Sequence, residues 1–194
     1  KKELEYAQVS DTVLIQATDT TDETEFLFSN AYNHSFISGV VGWVDMESQN
    51  AINQLSWFME NPYFKGIRPM IQDIDDVDWM LKPQLTPVFN FLEKNKLSFD
   101  ALVLPKHLAN LQVLINRHPK LNVVIDHGGK PNIKDALGKS LSESVNKQWA
   151  KDIAQLAKHE NVHCKLSGLV TEAGKNANYS DIERYMSHLY QCFG

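Results

Sequence analysis

The chain of 194 residues carries 19 basic and 24 acidic side chains, a net charge of -5, and 43% of its residues are hydrophobic. This length suffices for one sizeable core. The acidic balance, without a long block of like charge, argues against nucleic acid or an anionic membrane as a partner. No stretch approaches the roughly 20 apolar residues of a membrane span, and the opening residues lack the apolar core of a signal peptide. We therefore expect a cytoplasmic enzyme.

Short apolar runs alternate with segments of helical periodicity along nearly the entire chain. Six runs predict strands, at residues 13–17, 37–44, 64–68, 101–104, 123–126 and 162–166. Each precedes a helix candidate, and Thr20 with Glu23 and Ser180 with Glu183 have the spacing of helix capping boxes. Repeated units of this kind predict a parallel sheet, either open and doubly wound or closed into a barrel. No glycine-rich nucleotide-binding turn follows a strand, which favours the barrel, although six units are two fewer than eight.

The most informative segment is LNVVIDHGGKP, residues 121–131, where an apolar strand runs directly into polar residues. A strand buried on both faces is typical of a parallel sheet covered by helices. Parallel α/β folds place their chemistry where such strands end. Asp126, His127 and Lys130 lie at this position, and Gly128 and Gly129 allow a sharp turn. His127 is therefore the candidate catalytic residue, as an electrophile, a proton carrier or one ligand of a metal.

Other strand ends also carry polar or aromatic side chains, namely Gln16, Trp43, Asp45, Arg68, Lys165 and Ser167. Arg68 is one of three arginines in the chain and closes a strand immediately before a proline. It suits a substrate carboxylate or a developing oxyanion, or else pairs with a strand-end acid such as Asp45. Lys165 lies within an apolar run and must pair with an acid or reach a site. Trp43 and Lys130 complete the predicted substrate-binding set.

Two features concern access to these strand ends and metal binding. The connection from His127 to Trp149 is far longer than a usual strand-to-helix loop, as is the segment after the last strand, so both are expected to cover the same opening.

The chain contains neither an HxH nor an HExxH motif, and Cys164 and Cys192 lack the spacing of a zinc finger or a disulfide framework. A complete metal site is therefore not evident from the residues.

Five segments, in this order, are similar to those of the amidohydrolase-related (amidohydrolase 2) lactonase family: ISGVVGWVDMES, FKGIRPMIQD, FDALVLPKHL, NVVIDHGGKP and NVHCKLSGLVTEA. That family includes sugar-lactone hydrolases and a pyrone dicarboxylate lactonase. The resemblance implies a distorted (β/α)₈ TIM barrel, of which this single domain, residues 1–194, supplies strands two to seven. It also implies that the first strand, with its HxH motif, and the last, with its aspartate, lie outside the sequence, so we expect a fragment.

The resemblance also assigns roles to individual residues. His127 matches the histidine after the sixth family strand, Lys130 the basic residue three positions later, and Arg68 the substrate-facing arginine. Lys165 matches the lysine of the seventh strand. The implied reaction is hydrolysis of a sugar-derived or carboxylated lactone, with a small-molecule lactone or organic acid as the ligand. Some family members use a divalent metal such as zinc and others use none, so the cofactor stays open, as does assembly into a homodimer.

Two alternatives to the lactonase hypothesis remain. Related barrels decarboxylate aromatic or unsaturated acids with a metal, and release of carbon dioxide would distinguish that reaction. If the 194 residues are the mature protein, the chain is instead a non-catalytic protein that completes its barrel with a partner chain, because an incomplete barrel exposes two strand edges that favour association.

Overall fold

The computed structural model describes residues 2–194, in which six strands form one parallel sheet. Each strand pairs with the next one in the sequence. The strands are β1 Thr12–Ile15, β2 Ile37–Gly42, β3 Phe64–Ile67, β4 Ser98–Ala101, β5 Asn122–Ile125 and β6 Val162–Cys164. A doubly wound sheet reverses its strand order part-way, whereas this order is strictly sequential. The architecture is therefore the partial (β/α) barrel that the sequence predicts.

Helices follow or flank the strands, and each except the first, which buries no residue, contributes side chains to the core. They are α1 Lys2–Tyr6, α2 Thr21–Asn33, α3 Ala51–Phe58, α4 Thr86–Lys94, α5 Leu108–Arg117, α6 Lys147–Leu156, α7 Leu169–Ala173 and α8 Tyr179–Phe193. Short 3₁₀ turns lie in the loops between them. No helix within residues 2–194 combines the length and the apolar character needed to cross a membrane.

The core lies between the sheet and these helices, because the inward faces of both are apolar. On β5, Val123 and Ile125 are completely buried, and so is Ile115 on α5. Phe89 of α4 meets Phe99 of β4 edge to face, with ring centroids 5.2 Å apart. Each such side chain contributes about 1.5–3 kcal/mol by leaving water, so helix-to-sheet packing supplies most of the stability that holds the strand ends in place.

The structure corrects several strand boundaries: β1, β2 and β6 each end two residues earlier than predicted, and the largest correction is at β4. The sequence predicts a strand at residues 101–104, whereas β4 is Ser98–Ala101. Leu102 and Val103 are buried, which explains their apolar character, but they lie in the turn that leads to Pro105 and α5. An apolar run thus marks burial, and burial here continues past the hydrogen-bonded part of the strand.

The predicted cap of α8 is also wrong by two residues. Asn178 caps the helix, with its Oδ1 accepting from the Asp181 amide at 3.0 Å, while Asp181 Oδ2 accepts from the Asn178 amide at 3.1 Å. Both residue pairs have the same spacing, and a tertiary contact favours this one, because Asp181 Oδ1 also accepts from the Gly138 amide at 2.9 Å. At α2 the predicted cap is confirmed in part: Thr20 Oγ1 accepts from the Glu23 amide at 3.3 Å, but Glu23 Oε2 accepts from the amides of Ala17 and Thr18 and does not complete a capping box.

Candidate active site

Four charged side chains form a cluster at the C-terminal edge of the sheet. Asp126 follows β5 and bonds to Arg68 Nη1 through Oδ2 at 3.0 Å and to Lys165 Nζ through Oδ1 at 2.5 Å. Lys165 Nζ also lies 2.6 Å from Asp100 Oδ2. The cluster (Arg68, Asp100, Asp126, Lys165) joins four consecutive strands, β3 to β6, because parallel strands bring their ends to one edge.

The two carboxylates of this charge cluster are the most buried members. The Asp126 side chain is 0% exposed and that of Asp100 is 2% exposed, compared with 12% for Arg68 and 28% for Lys165. Burial raises the pKa of Asp100, and the neighbouring Lys165 ammonium opposes that shift. Buried charges of this kind are tolerated only when they are paired. The cations therefore reach solvent at the top of the cluster while the acids anchor them from below.

Arg68 has a different partner from the acid considered in the sequence analysis. Its guanidinium bonds to Asp126 and donates to the backbone carbonyl of Gln16, while Gln16 Nε2 donates to the Arg68 carbonyl at 2.5 Å. Asp45 instead accepts a hydrogen bond from the Glu47 amide at 3.0 Å, which stabilises its own turn. Arg68 is thus held by an acid two strands away.

The turn after β5 places His127 and Lys130 in an unusual backbone conformation. Four consecutive residues from His127 to Lys130 have positive φ, at 52, 62, 67 and 50°. A left-handed conformation costs roughly 1–2 kcal/mol for a residue with a Cβ atom, so only the two central glycines adopt it freely. Hydrogen bonds from Trp149 Nε1 to the Gly128 carbonyl and from the Gly128 amide to the Lys165 carbonyl, at 2.7 and 3.1 Å, hold the turn. Such strain is commonly found at functional sites.

The His127 ring is fixed by the loop that follows β6. Its Nδ1 lies 2.9 Å from Ser167 Oγ, and its Nε2 has no hydrogen-bond partner within residues 2–194. Gly168 lies against the ring, so that a Cβ there would be 2.7 Å from the His127 Cβ. Burial lowers the pKa of His127; the carboxylate of Asp126 opposes this shift, and the charges of Lys130, Lys165 and Arg68 add to it. The ring is therefore neutral at pH 7 and presents Nε2 as its free nitrogen.

The other predicted ligand-binding residues lie at the same edge. Lys130 Nζ donates to Gln72 Oε1 in the loop after β3. Trp43 follows β2 and is half-buried, with its backbone amide donating to Thr24 Oγ1 at 3.0 Å. His127, Arg68, Lys130, Lys165 and Trp43 are thus brought to one edge of the sheet, while their roles remain predictions.

The sequence analysis did not identify Asp100 as part of this site. Asp100 could have been found from its position, because it is an acid inside the apolar segment FDALVL. Lys165 was selected on the same ground, as a charged residue within an apolar strand. The two residues are 65 positions apart and meet only because β4, β5 and β6 are neighbours.

The residues at this edge do not fit a metal site by themselves. Nowhere in residues 2–194 do three His, Cys, Asp or Glu side chains converge as metal ligands. The buried carboxylates Asp100 and Asp126 are already neutralised by Lys165 and Arg68. His127 is therefore a single candidate ligand without the further donors that a metal site needs.

A family model for amidohydrolases matches residues 2–194. The chain belongs to the amidohydrolase family. The match covers all of the charge cluster and the turn that carries His127.

Curated and solved relatives agree with this assignment. The amidohydrolase chain is 41% identical over 96% of its length to an L-fucono-1,5-lactonase of Burkholderia ambifaria, and it covers 61% of that protein. An amidohydrolase structure from Burkholderia multivorans, crystallised with bound HEPES, matches with a TM-score of 0.87 and 27% identity, over 98% of this chain and 67% of that one. A probable 2-pyrone-4,6-dicarboxylic acid hydrolase of Acinetobacter baumannii, with citric acid bound, shares the fold at 17% identity and a TM-score of 0.75, over 99% and 66% of the chains.

The amidohydrolase chain thus spans about three fifths of the length of the curated relatives that it matches. The expected partial TIM barrel is confirmed by the sheet and by these structural matches.

Proposed function

We propose that the intact protein hydrolyses the ring ester of a lactone, and that this chain supplies His127, Arg68 and Lys165 to the reaction. The observation that carries the proposal is the 41% identity to an L-fucono-1,5-lactonase over 96% of the chain. It is supported by the position of His127, whose free nitrogen lies at the edge of the sheet where enzymes of this architecture bind their substrates.

The chemistry of ester hydrolysis makes three demands on such a site. Water must be deprotonated as it attacks the carbonyl carbon, the developing oxyanion must be stabilised, and the leaving alkoxide must receive a proton. A neutral imidazole can transfer a proton through Nε2, with Ser167 fixing the ring through Nδ1. Lys165, which is 28% exposed, and Arg68 provide positive charge near the same edge. We assign oxyanion stabilisation to these cations and proton transfer to His127.

The test is to assay the full-length protein on a panel of lactones and compare it with a His127→Ala variant. Loss of a positioned acid or base lowers kcat by about 10²–10⁴-fold, and we expect a loss in that range. His163→Ala is the matched control, because His163 is exposed on β6 and should leave kcat unchanged. Wild-type rates in the His127→Ala variant would rule out the role given to this residue.

The same assay tests the alternative decarboxylase reaction, because carbon dioxide release can be measured beside ring opening. Hydrolysis of a lactone releases one proton per turnover and no carbon dioxide.

A cytoplasmic location and a homodimeric assembly also stay predictions, which fractionation and light scattering of the full-length protein would test.

A further inference from the structure

A groove lies between α6 and α8, and the loop before α6 forms its third side. Its volume is about 400 Å³, within the range of roughly 300–1,000 Å³ found for small-molecule sites. It shares no lining residue with the charge cluster or with the turn that carries His127. We call it the α6 groove and define it by six of its lining residues: Leu141, Lys147, Ala150, Lys151, Ala154 and His188.

Most of the surface of the α6 groove is apolar. Ala150 and Ala154 lie one turn apart on α6, and their short side chains leave open space that Leu141 borders from the loop. The His188 ring closes the groove from α8 and is held in place, because its Nε2 lies 2.9 Å from the Ala150 carbonyl oxygen and its ring centroid 5.4 Å from that of Trp149. The groove therefore offers firm walls to a hydrocarbon chain or ring.

Two lysines give the α6 groove its charge. Lys147 and Lys151 are exposed, and neither forms an ion pair within residues 2–194. None of the residues that line the groove is acidic. The neighbouring acids Glu143 and Asp152 accept hydrogen bonds from other side chains, at 2.6 and 2.8 Å. The groove is thus positive, although the chain as a whole has a net charge of -5.

Helix stability does not explain why these lysines are placed together. Lys147 is the first residue of α6, where a positive charge opposes the helix dipole. Lys151 follows four residues later, and like charges at this spacing repel each other on a helix. Within α6 neither lysine has an acid three or four residues away. An anion bound between the two ammonium groups removes this repulsion.

The size of the groove limits what this anion can be. From Lys147 to Ala154 the helix rises by roughly 10 Å, and the two lysines lie at one end of that length while Ala150 and Ala154 continue it. Side chains four residues apart on a helix are close enough to reach one carboxylate together. This length suits a small acid with one apolar tail, whereas a partner helix needs a longer apolar face.

We propose that the α6 groove binds a free amphipathic carboxylic acid. Its carboxylate pairs with Lys147 and Lys151, and its hydrocarbon tail packs against Leu141, Ala150 and Ala154. This site is separate from the proposed lactone hydrolysis, and binding to it requires no turnover.

The first experiment is calorimetry of the full-length protein with octanoate. We expect one octanoate to bind per chain. The Kd should be about tenfold or more higher for 1-octanol, which lacks the charge. It should also be about tenfold or more higher for acetate, which lacks the tail. Absence of octanoate binding, or equal binding of octanoate and either reference compound, would overturn the inference.

Variants then locate the binding. Lys147→Gln/Lys151→Gln should raise the Kd for octanoate by about tenfold or more, because charge-assisted hydrogen bonds are lost. Lys158→Gln is the matched control, because Lys158 is exposed just beyond α6 and does not line the groove, and it should keep the wild-type Kd. If the double variant also keeps that Kd, octanoate binds elsewhere and the inference is wrong.

A second variant tests the apolar part of the groove while leaving both lysines in place. Ala154→Leu fills the space that the tail occupies and should raise the Kd for octanoate by about tenfold or more, with circular dichroism checking that the fold is kept. An unchanged Kd in this variant contradicts the assigned position of the tail.

A lipid surface could present the same chemistry of a carboxylate beside hydrocarbon, so sedimentation with vesicles of phosphatidylcholine and phosphatidylserine completes the test. The proposal expects the protein to stay in the supernatant. Sedimentation that is lost in the Lys147→Gln/Lys151→Gln variant would show that the groove docks on a membrane instead, which overturns the assignment to a free acid.

Discussion

The charge cluster and a cleft lined by Asp19, Asp45, Glu47 and Asp73, which we call the acidic cleft, lie at the same edge of the sheet but differ in how their charges are paired. In the cluster, two buried acids are matched by two cations at 2.5 to 3.0 Å. In the cleft, acids of one sign stand exposed around a cavity. Charges removed from water must be paired, whereas exposed charges can stay unpaired and available. The comparison teaches that the paired charges of the cluster hold the strand ends together, whereas the carboxylates of the cleft stay open to solvent.

The strongest test of this comparison removes the cation shared by both buried acids. Lys165→Met keeps the length of the side chain but leaves Asp100 and Asp126 without their common partner. We expect the free energy of unfolding to fall by about 3–5 kcal/mol, because breaking a buried pair leaves an uncompensated charge. Urea denaturation measures this change. Lys151→Met, at an exposed position of α6, is the control and should change stability by less than about 0.5 kcal/mol.

If the free energy of unfolding falls by less than about 1 kcal/mol in the Lys165→Met variant, the loss is that of a typical surface ion pair. The charge cluster would then not be the rigid, paired region that the comparison describes.

A second test concerns the contact between Gly168 and the His127 ring. Gly168 and Gly138 have nearly equal φ, 72 and 71°, but a Cβ at Gly168 would meet the ring while a Cβ at Gly138 meets nothing within 4 Å. Both alanine variants should lose about 1–2 kcal/mol through backbone strain. Gly168→Ala should lose roughly 1 kcal/mol more through overpacking and should also lower the rate of lactone hydrolysis. Equal stability and equal rates in the two variants would show that Gly168 does not position His127.

The smallest expected effect is the shift in the titration of His127. Its pKa is lowered by burial, so the ring should stay neutral as the pH falls through the ordinary histidine value near 6.5, and protonate only below it. The unfolded chain takes up its proton first, so this group's contribution to stability falls as the pH drops below about 6.5. NMR titration of the His127 ring measures the shift, and a midpoint at or above the ordinary histidine value near 6.5 would contradict it.

The sequence predicted much of the scaffold because each strand is a compact apolar run and each helix carries an apolar stripe. Parallel strands end at one edge, so the meeting of Arg68, His127 and Lys165 could also be predicted. The residues that pair with these side chains could not be predicted. Arg68 and Asp126 are 58 positions apart, and which acid reaches the guanidinium depends on strand spacing and side-chain direction, which periodicity does not report. The end of β4 was misplaced for a related reason, since burial and strand pairing give the same apolar pattern.

The negative sign of the acidic cleft has a consequence for the end of the proposed reaction. In the proposed reaction, ring opening converts an ester into a carboxylate at the sheet edge where Asp19, Asp45 and Asp73 are exposed. Repulsion between like charges weakens the hold on this newly formed acid without touching the affinity for its precursor. Release of the acid is thereby favoured in the proposed reaction, which limits inhibition by accumulated product.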